Sequence, residues 1–281
     1  VEARRAPAWS LGPPVGPPEV LMTTIPMYDV EQLAGLLAIL PDVDSVELKL
    51  TVPDNLLRSV VTTLGIDPLD AVVRQVAFVD TPDLRLSAAG VVVRARRTQR
   101  KPGDLTVKLR PMLPADAPAD LRAHPGFKVE VDASPTGYTC SCSLTTQVPD
   151  GRVRRLLSGT RPLDDLLDAT QRAMLVGGMP EGVGLADLAV LGPVNLLKCR
   201  FAPEGLGRRM VAELWVLPDG SRILELSTKA APDEAFHVAA ETKVLLAREG
   251  IDLGAPQETK TRAALAALAA EHSGKQGLPV S

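Results

Sequence analysis

Aromatic side chains are scarce, at 3% of the 281 residues. A single-strand nucleic-acid surface built on stacking platforms is poorly served by that content, and so is an outer-membrane barrel with its aromatic girdles. No apolar run reaches the roughly 18 residues of a membrane-spanning helix. Three cysteines, an odd number in a long chain, do not make a disulfide framework. His124, His237 and His272 are scattered, which argues against a shared histidine metal site. Neither sign of charge dominates: 31 Lys+Arg against 34 Asp+Glu leave a net charge of −3. That balance argues against coating nucleic acid through bulk positive charge. The N-terminus has no apolar signal core of roughly 7–15 residues, so a cytoplasmic protein without a membrane partner is expected.

What the chain does have is 45% apolar residues, enough for a substantial core. Residues 1–27 carry Pro7, Pro13, Pro14, Pro17, Pro18 and Pro26 and read as a disordered leader. The first methionine is Met22, so a start downstream of the leader is one expectation. Residues 28–41 read as an N-terminal helix, with Asp29 and Gln32 spaced as a capping box and Pro41 as the stop. A second helix is expected from Pro53 to Leu64, ending at Gly65, and a short third one from Thr81-Pro82-Asp83 to Gly90. Segments 161–176, 233–249 and 258–272 also have helical spacing.

Eight segments read as strands: 45–52, 74–80, 91–98, 105–111, 127–133, 194–201, 209–217 and 221–228. Consecutive strands with helices inserted between some of them favour an antiparallel α+β domain. Side chains alternate faces along a strand, and here the alternation sorts charge from aliphatic. Glu47 and Lys49 share a face, as do Arg94 with Arg96, Lys108 with Arg110, Lys128 with Glu130 and Asp132, and Lys198 with Arg200. Glu213 stands opposite Ala212 and Leu214, and Glu225, Ser227 and Lys229 oppose Leu224 and Leu226. An open sheet with one solvated face fits this pattern. A closed barrel with an ionic interior fits it as well, and the recurrence of like charges at i and i+2 then calls for an anion or opposing carboxylates among them.

In order along the chain, these segments resemble the CYTH domain, the triphosphate tunnel metalloenzymes. Ser45-Val46-Glu47-Leu48-Lys49 resembles the family's Glu-x-Glu-x-Lys strand. Phe78-Val79-Asp80-Thr81, the Leu84 to Gly90 turn and Arg94-Ala95-Arg96 follow as in that family. Lys108 and Arg110, the acidic pair Glu130 and Asp132, the pair Lys198 and Arg200, and a last hairpin with Glu213 and Glu225 complete the order. The resemblance covers roughly residues 42–262, leaving 263–281 as a C-terminal helix and tail, and takes in a subgroup labelled adenylate cyclase-like.

The resemblance implies an α+β fold: an eight-stranded antiparallel closed β-barrel, a triphosphate tunnel, with helices packed outside. It implies that Lys49, Arg94, Arg96, Lys108, Arg110, Lys198, Arg200 and Lys229 bind phosphates, which suits charge-assisted hydrogen bonds. It implies Mg²⁺ or Mn²⁺ held by Glu47, Glu130, Asp132, Glu213 and Glu225, with Glu47 and Lys49 as catalytic residues. The expected function is metal-dependent hydrolysis of inorganic, nucleoside or thiamine triphosphate. Formation of cyclic AMP, as in class IV adenylyl cyclases, and non-catalytic binding of triphosphate or polyphosphate are the alternatives. A homodimer is compatible with all three.

Two positions depart from the family pattern. Ser45 stands for the first Glu of the hallmark, and Ser227 for the last Glu of the final hairpin. Serine is neutral and coordinates weakly; Asp44 lies next door but on the other face unless a bulge intervenes. Phosphate-binding residues are therefore kept more fully than metal ligands, which shifts weight towards slow catalysis or binding alone. Of the remaining features, Cys140-Ser141-Cys142 lacks metal-site spacing, Cys199 reads as core, and Asp80 to Asp83 reads as a turn and cap. Arg96-Arg97 through Arg100-Lys101 reads as a basic hairpin tip that could guide anions to a tunnel mouth, and Thr259-Lys260-Thr261-Arg262 opens the last helix and is a candidate for the same mouth.

Overall fold

The computed structural model describes residues 28–254, 257 and 259–276; the Pro-rich leader lies outside the described residues. The strands are β1 (Ser45–Val52), β2 (Val72–Asp80), β3 (Val91–Thr98), β4 (Lys101–Leu109), β5 (Phe127–Ser134), β6 (Gly137–Val148), β7 (Ala189–Phe201), β8 (Met210–Val216) and β9 (Arg222–Ala230). They close into one barrel in the order β1-β5-β6-β4-β3-β2-β7-β8-β9. Every pairing is antiparallel except β1 with β5, which is parallel.

Two expectations are thereby corrected: the barrel has nine strands rather than eight, and it is mixed rather than purely antiparallel. The ninth strand, β6, hid because its inward face carries Ser141, Ser143, Thr145 and Gln147 in place of charges. Its outward face runs Tyr138, Cys140 and Cys142 before the first aliphatic, Leu144. The parallel pair is what closes the barrel. β1 already has β9 on one edge, and the chain returns to its other edge only after β2, β3 and β4 have formed.

The helix ends follow local chemistry. In α1 (Val30–Ile39), Asp29 Oδ1 accepts from the Gln32 backbone N–H at 2.7 Å and Gln32 Oε1 accepts from the Asp29 N–H at 3.1 Å, the reciprocal cap read from the sequence. Pro53 precedes a short 3₁₀ turn that runs into α2 (Leu57–Thr63), and Gly65 leaves it at φ +61°. Asp80, buried at the end of β2, accepts from the backbone N–H groups of Thr81, Leu86 and Ser87 at 2.7–2.9 Å and so starts α3 (Arg85–Ala88). The expected 161–176 helix is a 3₁₀ turn at Leu163–Asp165 followed by α6 (Ala169–Gly178), whose N-cap is Asp168. Between β4 and α6 lie α4 (Ala119–Arg122) and α5 (Asp150–Leu157); α7 (Ala235–Arg248) and α8 (Lys260–Gln276) follow β9.

The core has three parts. Outward residues such as Val93, Val107, Val131 and Leu144 pack with α5 and α6 residues Val153, Leu156, Met174 and Leu175, and with Leu36 of α1. On the other side Leu50, Leu224, Leu226 and Phe201 pack with Val60 of α2 and Leu245 and Leu246 of α7. The third part is different. Val76 and Phe78 are register partners of Arg96 and Arg94 and therefore face inward, as do Leu196 and its partner Trp215. These residues, with Val92, pack against Ala264, Leu265 and Leu268 of α8. Helix α8 thus rests on the barrel's inner face, while α2, α5, α6 and α7 cover its outside. Among the described residues, no helix is long and apolar enough to cross a membrane.

Candidate functional site: an ionic barrel interior

Strand register brings the charged faces of β1, β3, β4, β5, β7, β8 and β9 into one interior. Glu47 is opposite Lys229 on β9 and Asp132 on β5; Lys49 is opposite Ser227, Glu213 opposite both Lys198 and Glu225, and Arg96 opposite Asp104. Lys49, Arg74, Arg94, Arg96, Lys108, Lys198, Lys229 and Lys260 face Glu47, Asp104, Glu130, Asp132, Glu213 and Glu225, an excess of cations. A chain with net charge −3 has concentrated positive charge inside its barrel.

Three groups make up this interior. In the first, Asp132 takes the Lys49 ammonium on Oδ1 at 2.7 Å and that of Lys108 on Oδ2 at 2.9 Å, with Glu47 3.3 Å from Lys49. Burial alone would raise the Asp132 carboxyl, but the two lysines outweigh it and hold it well below the usual carboxylate range. Burial works against the Lys49 ammonium too, and Asp132, Glu47 and Glu225 overcome it and hold the proton firmly. Alongside, Glu130 accepts from Lys229 at 2.5 Å and from Ser45 Oγ at 3.0 Å. These contacts prevail over burial and lower its carboxyl.

In the second group, Glu213 and Glu225 sit side by side on β8 and β9. Lys198 reaches Glu213 Oε1 at 2.9 Å. The ammonium of Lys260, from the first turn of α8, bonds Glu213 Oε2 and lies 2.6 Å from Glu225 Oε1. Burial would raise the Glu213 carboxyl, and Lys260 and Lys198 hold it low instead. Lys198 shares that carboxylate with Lys260 and Arg74, and burial with these like charges lowers its own pKa.

The third group is cationic. Arg96 Nε donates to Asp104 Oδ2 at 2.8 Å, and Arg74 Nη1 is 3.7 Å from Glu213. The Nε groups of Arg74 and Arg94 are enclosed and have no hydrogen-bond acceptor among the described residues. Burial, then Arg96, push Arg74 down to about 10, with Arg94 adding to the effect. The same two causes, burial first and Arg96 second, lower Arg94. Arg74 also lines a cavity of about 590 Å³ at the β3–β4 hairpin, together with Arg97, Arg100, Lys101 and Asp150.

The structure therefore gathers Glu47, Lys49, Arg94, Arg96, Lys108, Glu130, Asp132, Lys198, Glu213, Glu225 and Lys229 in the interior. Arg110 lies just past the end of β4, where burial lowers its pKa, and Arg200 is exposed near the end of β7. Arg74 and Asp104 escaped the sequence reading because neither has a charged neighbour two residues away on its own strand; Val76 follows Arg74, and Thr106 follows Asp104. Asp44 does not stand in for Ser45: its Oδ2 accepts from the Val129 N–H at 2.7 Å and fixes the start of β5.

A hard divalent cation needs several converging oxygens, about six for Mg²⁺. Asp132 gives one oxygen to each of two lysines, and both Glu213 oxygens and Glu225 Oε1 are bonded to ammonium groups. Ser45 and Ser227 contribute hydroxyls where carboxylates would stand. No group of three or more Asp, Glu, His or Cys among the described residues could hold a metal. Arranged this way, the residues do not fit Mg²⁺ or Mn²⁺.

A closed barrel with an ionic, cation-rich interior defines the triphosphate tunnel, or CYTH, fold. Solved structures agree. A candidate adenylate cyclase from Bacillus halodurans superposes with a TM-score of 0.53 at 14% identity, over 78% of this chain and 96% of the other. A protein from Hippeastrum, named as a candidate adenylyl cyclase with a dominant triphosphatase activity, superposes with a TM-score of 0.57 at 14% identity, over 83% and 97% of the two chains. No protein-family model matches the sequence, and no curated protein does.

Proposed function

We propose that the barrel binds a triphosphate-bearing polyanion in its interior. The observation that carries this reading is the guanidinium cluster of Arg74, Arg94 and Arg96, in which the enclosed Nε donors of Arg74 and Arg94 have no acceptor among the described residues. Phosphoryl oxygens supply the missing acceptors, and charge-assisted bonds of this kind contribute roughly 1.5–3 kcal/mol each. Lys49, Lys108, Lys198 and Lys229 are already matched to carboxylates and set the positions of the strands' ionic faces; Arg110 and Arg200 extend the cationic surface. Calorimetry and thermal shift with tripolyphosphate, ATP, thiamine triphosphate and orthophosphate test the reading. The melting temperature is expected to rise with the triphosphates and not with orthophosphate, since a ligand of the native state stabilises by mass action. No response to any of them would end it.

Hydrolysis of the bound triphosphate is the second reading, favoured by the triphosphatase activity named for the Hippeastrum protein of the same fold. Glu47 and Lys49 then act on the substrate, and dependence on Mg²⁺ or Mn²⁺ requires the Glu213–Glu225 pair to be released from Lys260. Orthophosphate release, compared with Glu47→Ala and Arg94→Ala, tests it; equal rates in all three proteins would remove the assignment. Detection of cyclic AMP instead would favour cyclisation.

A further inference from the structure

Glu213 and Glu225 are direct cross-strand neighbours. Two carboxylates so placed repel each other unless a cation sits between them. That cation comes from the chain itself. Lys260 Nζ bonds both carboxylates and stands 5.6 Å from the centre of the Trp215 ring.

The lysine is held there from both sides. Ahead of it in sequence, the Gln257 side chain accepts from the Thr51 N–H at 2.8 Å and donates to the Thr51 carbonyl at 3.3 Å. Thr51 is the β1 register partner of Glu225. Behind it, Ala264, Leu265 and Leu268 are buried against Phe78, Leu196 and Trp215. An ammonium at the end of a flexible side chain is common; one fixed by an amide clamp and a buried helix face over a paired carboxylate site is a built feature.

We propose that Lys260 is a tethered cation that takes the place of a divalent ion at the Glu213–Glu225 pair, so that the barrel receives its polyanion without a metal. Ser45 and Ser227 fit this arrangement. With Lys260 supplying a single positive charge, two further carboxylates at these positions would cancel the interior's excess of cations over carboxylates. The charge at this pair is set by α8 and does not depend on the supply of metal.

Binding of Mn²⁺ alone, followed by the loss of the free-ion EPR signal, tests the substitution without reference to the polyanion. Wild type is expected to bind no Mn²⁺ up to millimolar concentration. Lys260→Ala and Lys260→Gln are expected to bind it at least tenfold more tightly, and Lys260→Ala combined with Glu225→Gln to lose the gain. Binding by wild type as tight as by the variants, or no gain in either folded variant, overturns the proposal. Should the variants not fold, wild type alone decides through its tripolyphosphate affinity in EDTA and in Mn²⁺. Affinities equal within about twofold support the tethered cation, and tenfold tighter binding in Mn²⁺ sinks it. The proposal's anion clause rests on the polyanion reading. Failure of tripolyphosphate to bind under either condition would count against that reading, while the Mn²⁺ titration still judges Lys260.

Discussion

Asp132 receives two ammonium groups, one on each oxygen, and this makes it the residue on which the β1–β4–β5 side of the interior turns. Asp132→Asn removes one charge and leaves two lysines facing each other, so a loss of about 3 kcal/mol is expected from the rule that breaking a buried pair costs more than the pair contributes. A shift in urea midpoint at unchanged m would register it. Arg94 behaves in the opposite way. Its Nε has no acceptor among the described residues and it has a like-charged neighbour in Arg96, so its charge is a strain on the free protein. Arg94→Met is expected to leave the melting temperature unchanged or raise it, while tripolyphosphate affinity falls roughly tenfold or more. Loss of stability together with unchanged affinity would assign Arg94 a structural role instead.

At the level of elements, two junctions position the interior. Gly90 leaves α3 at φ +80°, and a Cβ there would overlap the Arg110 carbonyl oxygen, whose own N–H donates to the Gly90 carbonyl at 2.8 Å. Gly90→Ala therefore meets both a disfavoured backbone and a clash with backbone, and a loss of about 2–3 kcal/mol is expected in chemical unfolding. The other junction is α8. Leu265 is 2% exposed and lies against the inward apolar residues. Leu265→Ala should cost about 3 kcal/mol, again read by urea unfolding. Helix α8 was legible as a helix from its spacing, but its role was not. Ala264, Leu265 and Leu268 look alike whether they pack on the outside of a barrel or on its inner face; only the position of Phe78 and Trp215 distinguishes the two. Likewise α5, with Val153 and Leu156 buried, went unread because its eight residues are dominated by charge and glycine.

The whole molecule encloses a matched set of charges, and its response to pH follows from them. Asp132, Glu130 and Glu213 titrate below their ordinary values in the folded state. Their stabilisation is therefore complete above the unfolded carboxylate range of about 4–4.5 and is lost as pH falls through the lowered folded values. Urea midpoints are expected to vary little on this account from pH 5 to 8 and to fall steeply below about pH 4; a midpoint that held at pH 3 would contradict it. The alternation of charged and aliphatic side chains, with the caps at Asp29 and Asp80, was enough to foretell strands with one ionic and one apolar face and the ends of the first helices. That information is local: side-chain parity over a few residues says which face a group takes. It does not say which strand lies next door. Closure of the barrel decided that, by setting β5 parallel to β1 and by bringing Lys260 to Glu213 across 47 residues of sequence. Ion pairing depends on distance through space, and that distance exists only once the chain has closed on itself.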